Sequence, residues 1–170
     1  MKLHPESSRM FQTNEDVEKA KTYAYRLLNG RAYTHHEISK KLKEKRFTRP
    51  AIQETMATLK RLNLVDDEDY ARRWVAERLR HRPMGRRLME QELKQKGIIE
   101  GIVDLVLDEA LAGVNFQEMA LDLLRGRIER YRGLERTKAL SRMYGFLGRR
   151  GFDASVCSPA CEQAWQEMHR

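Results

Sequence analysis

The stretch ELKQKGI, residues 92–98, decides how the chain is read. A leucine sits among charged and polar residues, and the segment then closes on a basic residue, a glycine and one apolar residue. KLKEKRF at 41–47 and FLGRRGF at 146–152 have the same form. The leucines Leu42, Leu93 and Leu147 lie 51 and 54 residues apart. Each has an apolar or sulfur-bearing residue four positions before it (Ile38, Met89, Met143) and an apolar residue five after (Phe47, Ile98, Phe152). Five residues beyond that closing residue stand Ile52, Val103 and Cys157. Nine beyond stand Met56, Leu107 and Cys161, and twelve beyond stand Leu59, Ala110 and Ala164. Residues three and four apart share one side of a helix, so each copy ends one helix and opens the buried stripe of the next. Self-similarity at a period near 50 marks a repeat array.

Composition agrees. Of 170 residues, 34% are charged and 8% aromatic, with 4 prolines and 10 glycines, which favours helix and offers little strand signal. The expected fold class is all-α, an elongated tandem array of three three-helix repeats. The expected organisation is a mobile tail over 1–14, then repeats at 15–65, 66–113 and 114–170. No run free of Asp, Glu, Lys and Arg exceeds eight residues, too short to span a bilayer. The N-terminal MKLHPESSRMFQTNEDVEK lacks an apolar signal core, so the chain reads as cytoplasmic. Two cysteines near the C-terminus do not make a disulfide framework.

The first helix is expected to start near Asn14 or Glu15, to bury Ala20, Tyr23, Ala24, Leu27 and Leu28, and to end at Asn29-Gly30. Thr34 with Glu37 forms a capping box for a second helix running to about Lys45. Thr48 caps a third, with Pro50 in its first turn, that ends near Leu62-Asn63. The first stripe recurs as Ala71, Trp74, Val75 and Leu79 and again as Ala120, Leu123, Leu124 and Ile128. The acids at 66–69 suit the exposed amides of a helix start. Pro83 and Gly85 break the chain before the next helix. The last spacing is longer, so about five residues are inserted around Tyr131–Glu135.

The net charge of +8 is concentrated. Residues 40–50 hold six bases against Glu44; 72–96 hold nine bases against three acids; 125–150 hold nine against two. Residues 99–122 hold six acids and no base. The basic stretches fall on or beside the second helix of each repeat, and stacked repeats of like orientation would align them into one strip. Such a strip attracts polyphosphate through counterion release, without reading base sequence; the plainer reading is solvated helix faces. Arg86 and Arg87 stand in a helix's first turn, where the dipole disfavours cations. They mark a binding surface or pair with the acids at 66–69.

No GxxxxGK[ST] loop, GxGxxG fingerprint or nucleophile–base–orienter set is present, so the expected chain is not an enzyme, with no catalytic residues, cofactor or metal. His35-His36 lacks the spacing of a helical metal pair and reads as surface. Cys157, Cys161 and His169 share a helical face, but the cysteines occupy core positions of the repeat, where free cysteine packs as a small apolar group.

DDEDYARRWVAERL, a short linker with Gly85, and EQELKQKGI together resemble the RecX family of bacterial recombinase regulators. YTHHEISKKLKEKRF and FLGRRGF stand where that family would place them, and the likeness covers roughly 17–165. Arg46 departs from it where many relatives carry glycine, which alters the geometry of one turn; the cysteine pair is a second departure. The resemblance implies elongated tandem three-helix repeats. It also implies binding to RecA filaments on single-stranded DNA, in the filament groove or by blocking growth, which suppresses ATP hydrolysis, strand exchange and repressor cleavage. The expected partners are the RecA filament and single- or double-stranded DNA, with the chain a monomer. The expected contact residues are Lys40, Lys41, Arg72, Arg73, Arg82, Arg86, Arg87, Lys94, Arg142, Arg149 and Arg150. The rival reading is a sequence-independent nucleic-acid-binding helical protein.

Overall fold

A computed structural model describes residues 5–169, with side chains from Asn14 onward. Among these residues the regular structure is helical, with no strand. The α-helices are α1 (Pro5–Gly30), α2 (His35–Glu44), α3 (Arg49–Arg61), α4 (Asp67–His81), α5 (Arg86–Gln95), α6 (Glu100–Leu111), α7 (Phe116–Arg125), α8 (Arg136–Arg149) and α9 (Ala154–Met168). A 3-10 turn, Ile128–Arg130, precedes α8. The fold is all-α, as the repeat pattern requires.

The helix boundaries have local causes. Thr34 and Glu37 form the capping box, the Glu37 amide donating to Thr34 Oγ1 (3.2 Å) and the Thr34 amide to Glu37 Oε2 (3.2 Å). Asp66 caps α4, its Oδ1 accepting from the amides of Glu68 (2.9 Å) and Asp69 (3.0 Å). Pro50 sits in the first turn of α3, where its missing N–H is not needed. Thr48 occupies the N-cap of α3 but does not cap it through its side chain. Its hydroxyl donates instead to Asp16 Oδ2 at 2.5 Å, tying the start of α3 to α1. α1 begins at Pro5 rather than near Asn14, with proline again at a helix start. Of the tail expected over 1–14, residues 1–4 lie outside the described residues.

The turn that the opening stretch predicts closes α2, α5 and α8 alike. Arg46, Gly97 and Gly151 have φ of 63°, 78° and 81°. After α2 the Phe47 amide reaches Leu42 O (3.3 Å) and the Arg46 amide reaches Lys43 O (2.8 Å); after α8 the Phe152 amide reaches Leu147 O (3.2 Å) and the Gly151 amide reaches Gly148 O (3.0 Å). This is the Schellman arrangement. Arg46 therefore does not alter its turn, contrary to expectation; it accepts the left-handed conformation of the two glycines. Two glycines also permit close approach. A Cβ on Gly97 would lie 2.2 Å from His36 Cβ, and one on Gly85 would lie 2.1 Å from Gly151 O.

The chain forms two compact units: residues up to Ala71 with Gln95–Ile102, and Arg72–Lys94 with Val103–Arg170. In the first, α1, α2 and α3 pack together over Ala20, Ala24, Ile38, Leu42, Ile52, Met56 and Leu59. In the second, α7 and α8 pack on α9 over Ala120, Leu124, Met143, Leu147, Cys157, Cys161 and Ala164. Leu42, Leu93 and Leu147 are each fully buried, as are Ile38, Met89 and Met143. Cys157 and Cys161 are core residues; Cys157 Sγ contacts Phe152 O at 3.4 Å, and burial pushes the Cys161 thiol up to about 12. One stripe position differs. Ala110 is exposed and Leu111 buried. Both lie within about a quarter turn of the Val103–Leu107 line, and the larger apolar side chain takes the interior place.

Candidate functional site

The basic residues singled out in the sequence lie on α2 in the first unit and on or near α4, α5 and α8 in the second. On α2, Lys40 is exposed. Lys41 is half-buried, with its Nζ 5.8 Å from the centre of the Tyr33 ring, a ring that Arg31 also covers at 3.6 Å. His35 and His36 are exposed. The His35 amide is held by Asp67 Oδ1 at 2.7 Å, so one acid of the 66–69 cluster anchors the start of α2.

In the second unit several cations are engaged within the fold. Arg72 pairs with Glu109, Lys94 with Glu90 (2.8 Å) and Arg86 with Asp108 (2.7 Å). Arg87 donates to Gly148 O at 2.9 Å. Arg150 donates to Pro83 O at 2.9 Å, and its carbonyl accepts from the Gly85 amide at 2.8 Å. The loop 83–87 and the turn 148–151 are thus laced together, and Arg86 and Arg87 take Asp108 and a carbonyl as partners rather than the acids at 66–69. Desolvation, with Arg82 and Arg127 nearby, holds the Arg150 guanidinium below its ordinary value. Arg73 and Arg82 are exposed on and just after α4.

Arg142 and Arg149 converge. They stand seven residues apart on one side of α8 and line a cleft of about 390 Å³. Arg127, the residue before the 3-10 turn, and Arg130, its last residue, line it too, with Tyr131, Ser141, Gly145 and Phe146. The sequence reading missed Arg127 and Arg130. Two signals lay beside them: the base-rich run 125–150 and the insertion that breaks the repeat spacing.

Lys40 on α2 and Arg142 and Arg149 on α8 are exposed. A family model described as RecX, first three-helix domain, matches residues 20–59, and one described as RecX, second three-helix domain, matches 66–107. The chain is 33% identical over 151 residues to the regulatory protein RecX of Chlorobium phaeobacteroides (strain BS1), covering 89% of this chain and 97% of that one. It is 29% identical over 153 residues to the regulatory protein RecX of Streptomyces coelicolor, covering 90% and 81%. A crystal structure of regulatory protein RecX matches with a TM-score of 0.79 at 25% identity, over 92% of this chain and 76% of the other. The chain belongs to the RecX family.

No described helix is long and apolar enough to cross a membrane.

Proposed function

We propose that this chain is a non-catalytic negative regulator of the RecA recombinase. It binds RecA filaments on single-stranded DNA and inhibits their ATP hydrolysis, strand exchange and promotion of repressor cleavage. It acts in the cytoplasm as a monomer built of three successive three-helix repeats, 15–65, 66–113 and 114–170. The observation that carries this reading is membership of a family whose curated relatives are called regulatory proteins. The cations of α2, α5 and α8 give the reading its physical means. Exposed lysine and arginine attract an acidic protein face or a phosphate backbone, and contacts to several neighbouring filament subunits at once favour filament over free RecA.

The test is ATP hydrolysis by preformed RecA filaments on single-stranded DNA, with this protein at about one per several tens of RecA subunits. The expected outcome is a progressive fall in rate, because multivalent contact lets few molecules act on many subunits. An effect that starts only near DNA-site concentration, and fades steeply with salt, would replace this reading with sequence-independent nucleic-acid binding.

A further inference from the structure

The third repeat holds an element that the first two lack. Helix α7 ends at Arg125, and the 3-10 turn Ile128–Arg130 follows it, just ahead of the residues inserted around Tyr131–Glu135 and of the start of α8 at Arg136. This turn meets the face of α8 marked by Arg142 and Arg149 and encloses the cleft of about 390 Å³. Four arginines line it, and among the described residues no carboxylate does.

The neighbouring cations of the same segment are neutralised. Arg125 contacts Glu118 (2.7 Å), Asp122 (2.9 Å) and Glu167 (2.8 Å); Arg132 pairs with Glu129 (3.1 Å) and Arg136 with Glu162 (2.7 Å). Among the described residues, no carboxylate forms an ion pair with Arg127, Arg130, Arg142 or Arg149. Nε of Arg127 is buried without an acceptor. Like charges gathered around one concavity repel, and such an arrangement is stable only at a cost that an anion would remove. The Arg149 guanidinium lies over Gly145, its Nη1 3.4 Å from where a Cβ would stand.

We propose that this cleft binds a compact oligophosphate, either free polyphosphate or the triphosphate tail of a nucleotide. Three or four negative charges within one small group match four convergent guanidiniums, each a fork of donors suited to phosphate oxygens. A phosphodiester strand brings one charge per nucleotide and spreads them along its length. Phe146, the cleft's phenylalanine, already has Arg127 4.4 Å and Arg150 5.6 Å from its ring centre. It is not a free platform for a base, so recognition rests on the phosphates alone.

The experiment is calorimetric titration of the full chain with sodium tripolyphosphate in magnesium-free buffer, followed by ATP and CTP, and needs no RecA. All three ligands are expected to bind with similar affinity. The double variant Arg142→Gln/Arg149→Gln should weaken binding by roughly a hundredfold, since each arginine contributes a charge-assisted bond worth about tenfold or more. Lys19→Gln/Lys60→Gln, at exposed lysines of α1 and α3, should leave binding unchanged. A thermal melt separates loss of binding from loss of fold: without ligand the arginine variant should melt no lower than the parent, because repulsion is relieved, yet lose the upward shift that tripolyphosphate gives the parent. The proposal is overturned by absence of binding, by equal weakening in the lysine variant, by nucleotide binding without tripolyphosphate binding, or by binding of a short single-stranded oligonucleotide alone.

Discussion

At the scale of single residues, Arg46 carries the clearest strain. Its φ of 63° belongs to a region that side chains with a Cβ enter at a cost, and the equivalent places after α5 and α8 hold glycine. Arg46 is exposed, so nothing packed is lost on its removal. Arg46→Gly should therefore raise stability by about 0.5–1 kcal/mol, the relief of strain exceeding the added freedom of the unfolded chain. A midpoint in urea that moves down would show that the arginine is stabilised in ways its backbone does not reveal. Leu93, fully buried, makes the opposite case. Leu93→Ala should cost roughly 2–5 kcal/mol, as buried leucines do. A loss well under 1 kcal/mol would break the register that joins Leu42, Leu93 and Leu147.

At the scale of elements, the start of α2 is a junction. Thr34 accepts from the Glu37 amide and donates through the same hydroxyl to Lys96 O at 2.6 Å, entirely out of solvent. Thr34→Ala removes a cap and takes the hydroxyl donor from Lys96 O, so it should destabilise by about 1–3 kcal/mol, and Thr34→Ser should recover most of that in the same denaturation assay. Burial alone would raise the Glu37 carboxyl, but the Thr34 amide, Arg31 and Lys96 outweigh it and hold the group below its usual range. A carboxylate depressed in the folded state stabilises above its unfolded pKa and loses that contribution as pH falls through the folded value. The stability gap between the parent and Glu37→Gln should thus be steady near neutrality and close below about pH 4. A gap independent of pH would mean that Glu37 acts by packing and hydrogen bonding alone.

At the scale of the whole molecule, charge on a surface and charge used by the fold have to be separated. Arg86 faces Asp108 and Arg87 a backbone carbonyl, so glutamate at either place would set negative against negative and confound binding with stability. Glutamine is the cleaner probe. Arg86→Gln/Arg87→Gln should cost only about 1–2 kcal/mol, the sum of one surface ion pair and one hydrogen bond. Under the proposed role it should also shift the inhibition of RecA ATP hydrolysis to higher protein concentration. An unchanged inhibition curve would remove this pair from the contact surface and leave both arginines as ties between α5 and its neighbours.

Periodicity along the chain determined the helical class, the three equivalent leucines and the turn that follows each, because spacing of three and four and a left-handed residue at a helix end are local properties of a chain. The capping box at Thr34 and the core places of Cys157 and Cys161 were legible for the same reason. Other features depend on residues far apart in sequence. Asp16 takes the Thr48 hydroxyl, Asp67 serves α2 as well as its own helix start, and Arg86 finds Asp108. The sequence located the basic segments and their excess of charge. Only the folded chain separated the arginines bound to carboxylates and carbonyls from the four that surround an open cleft, because an ion pair is a matter of distances that spacing along the chain does not set.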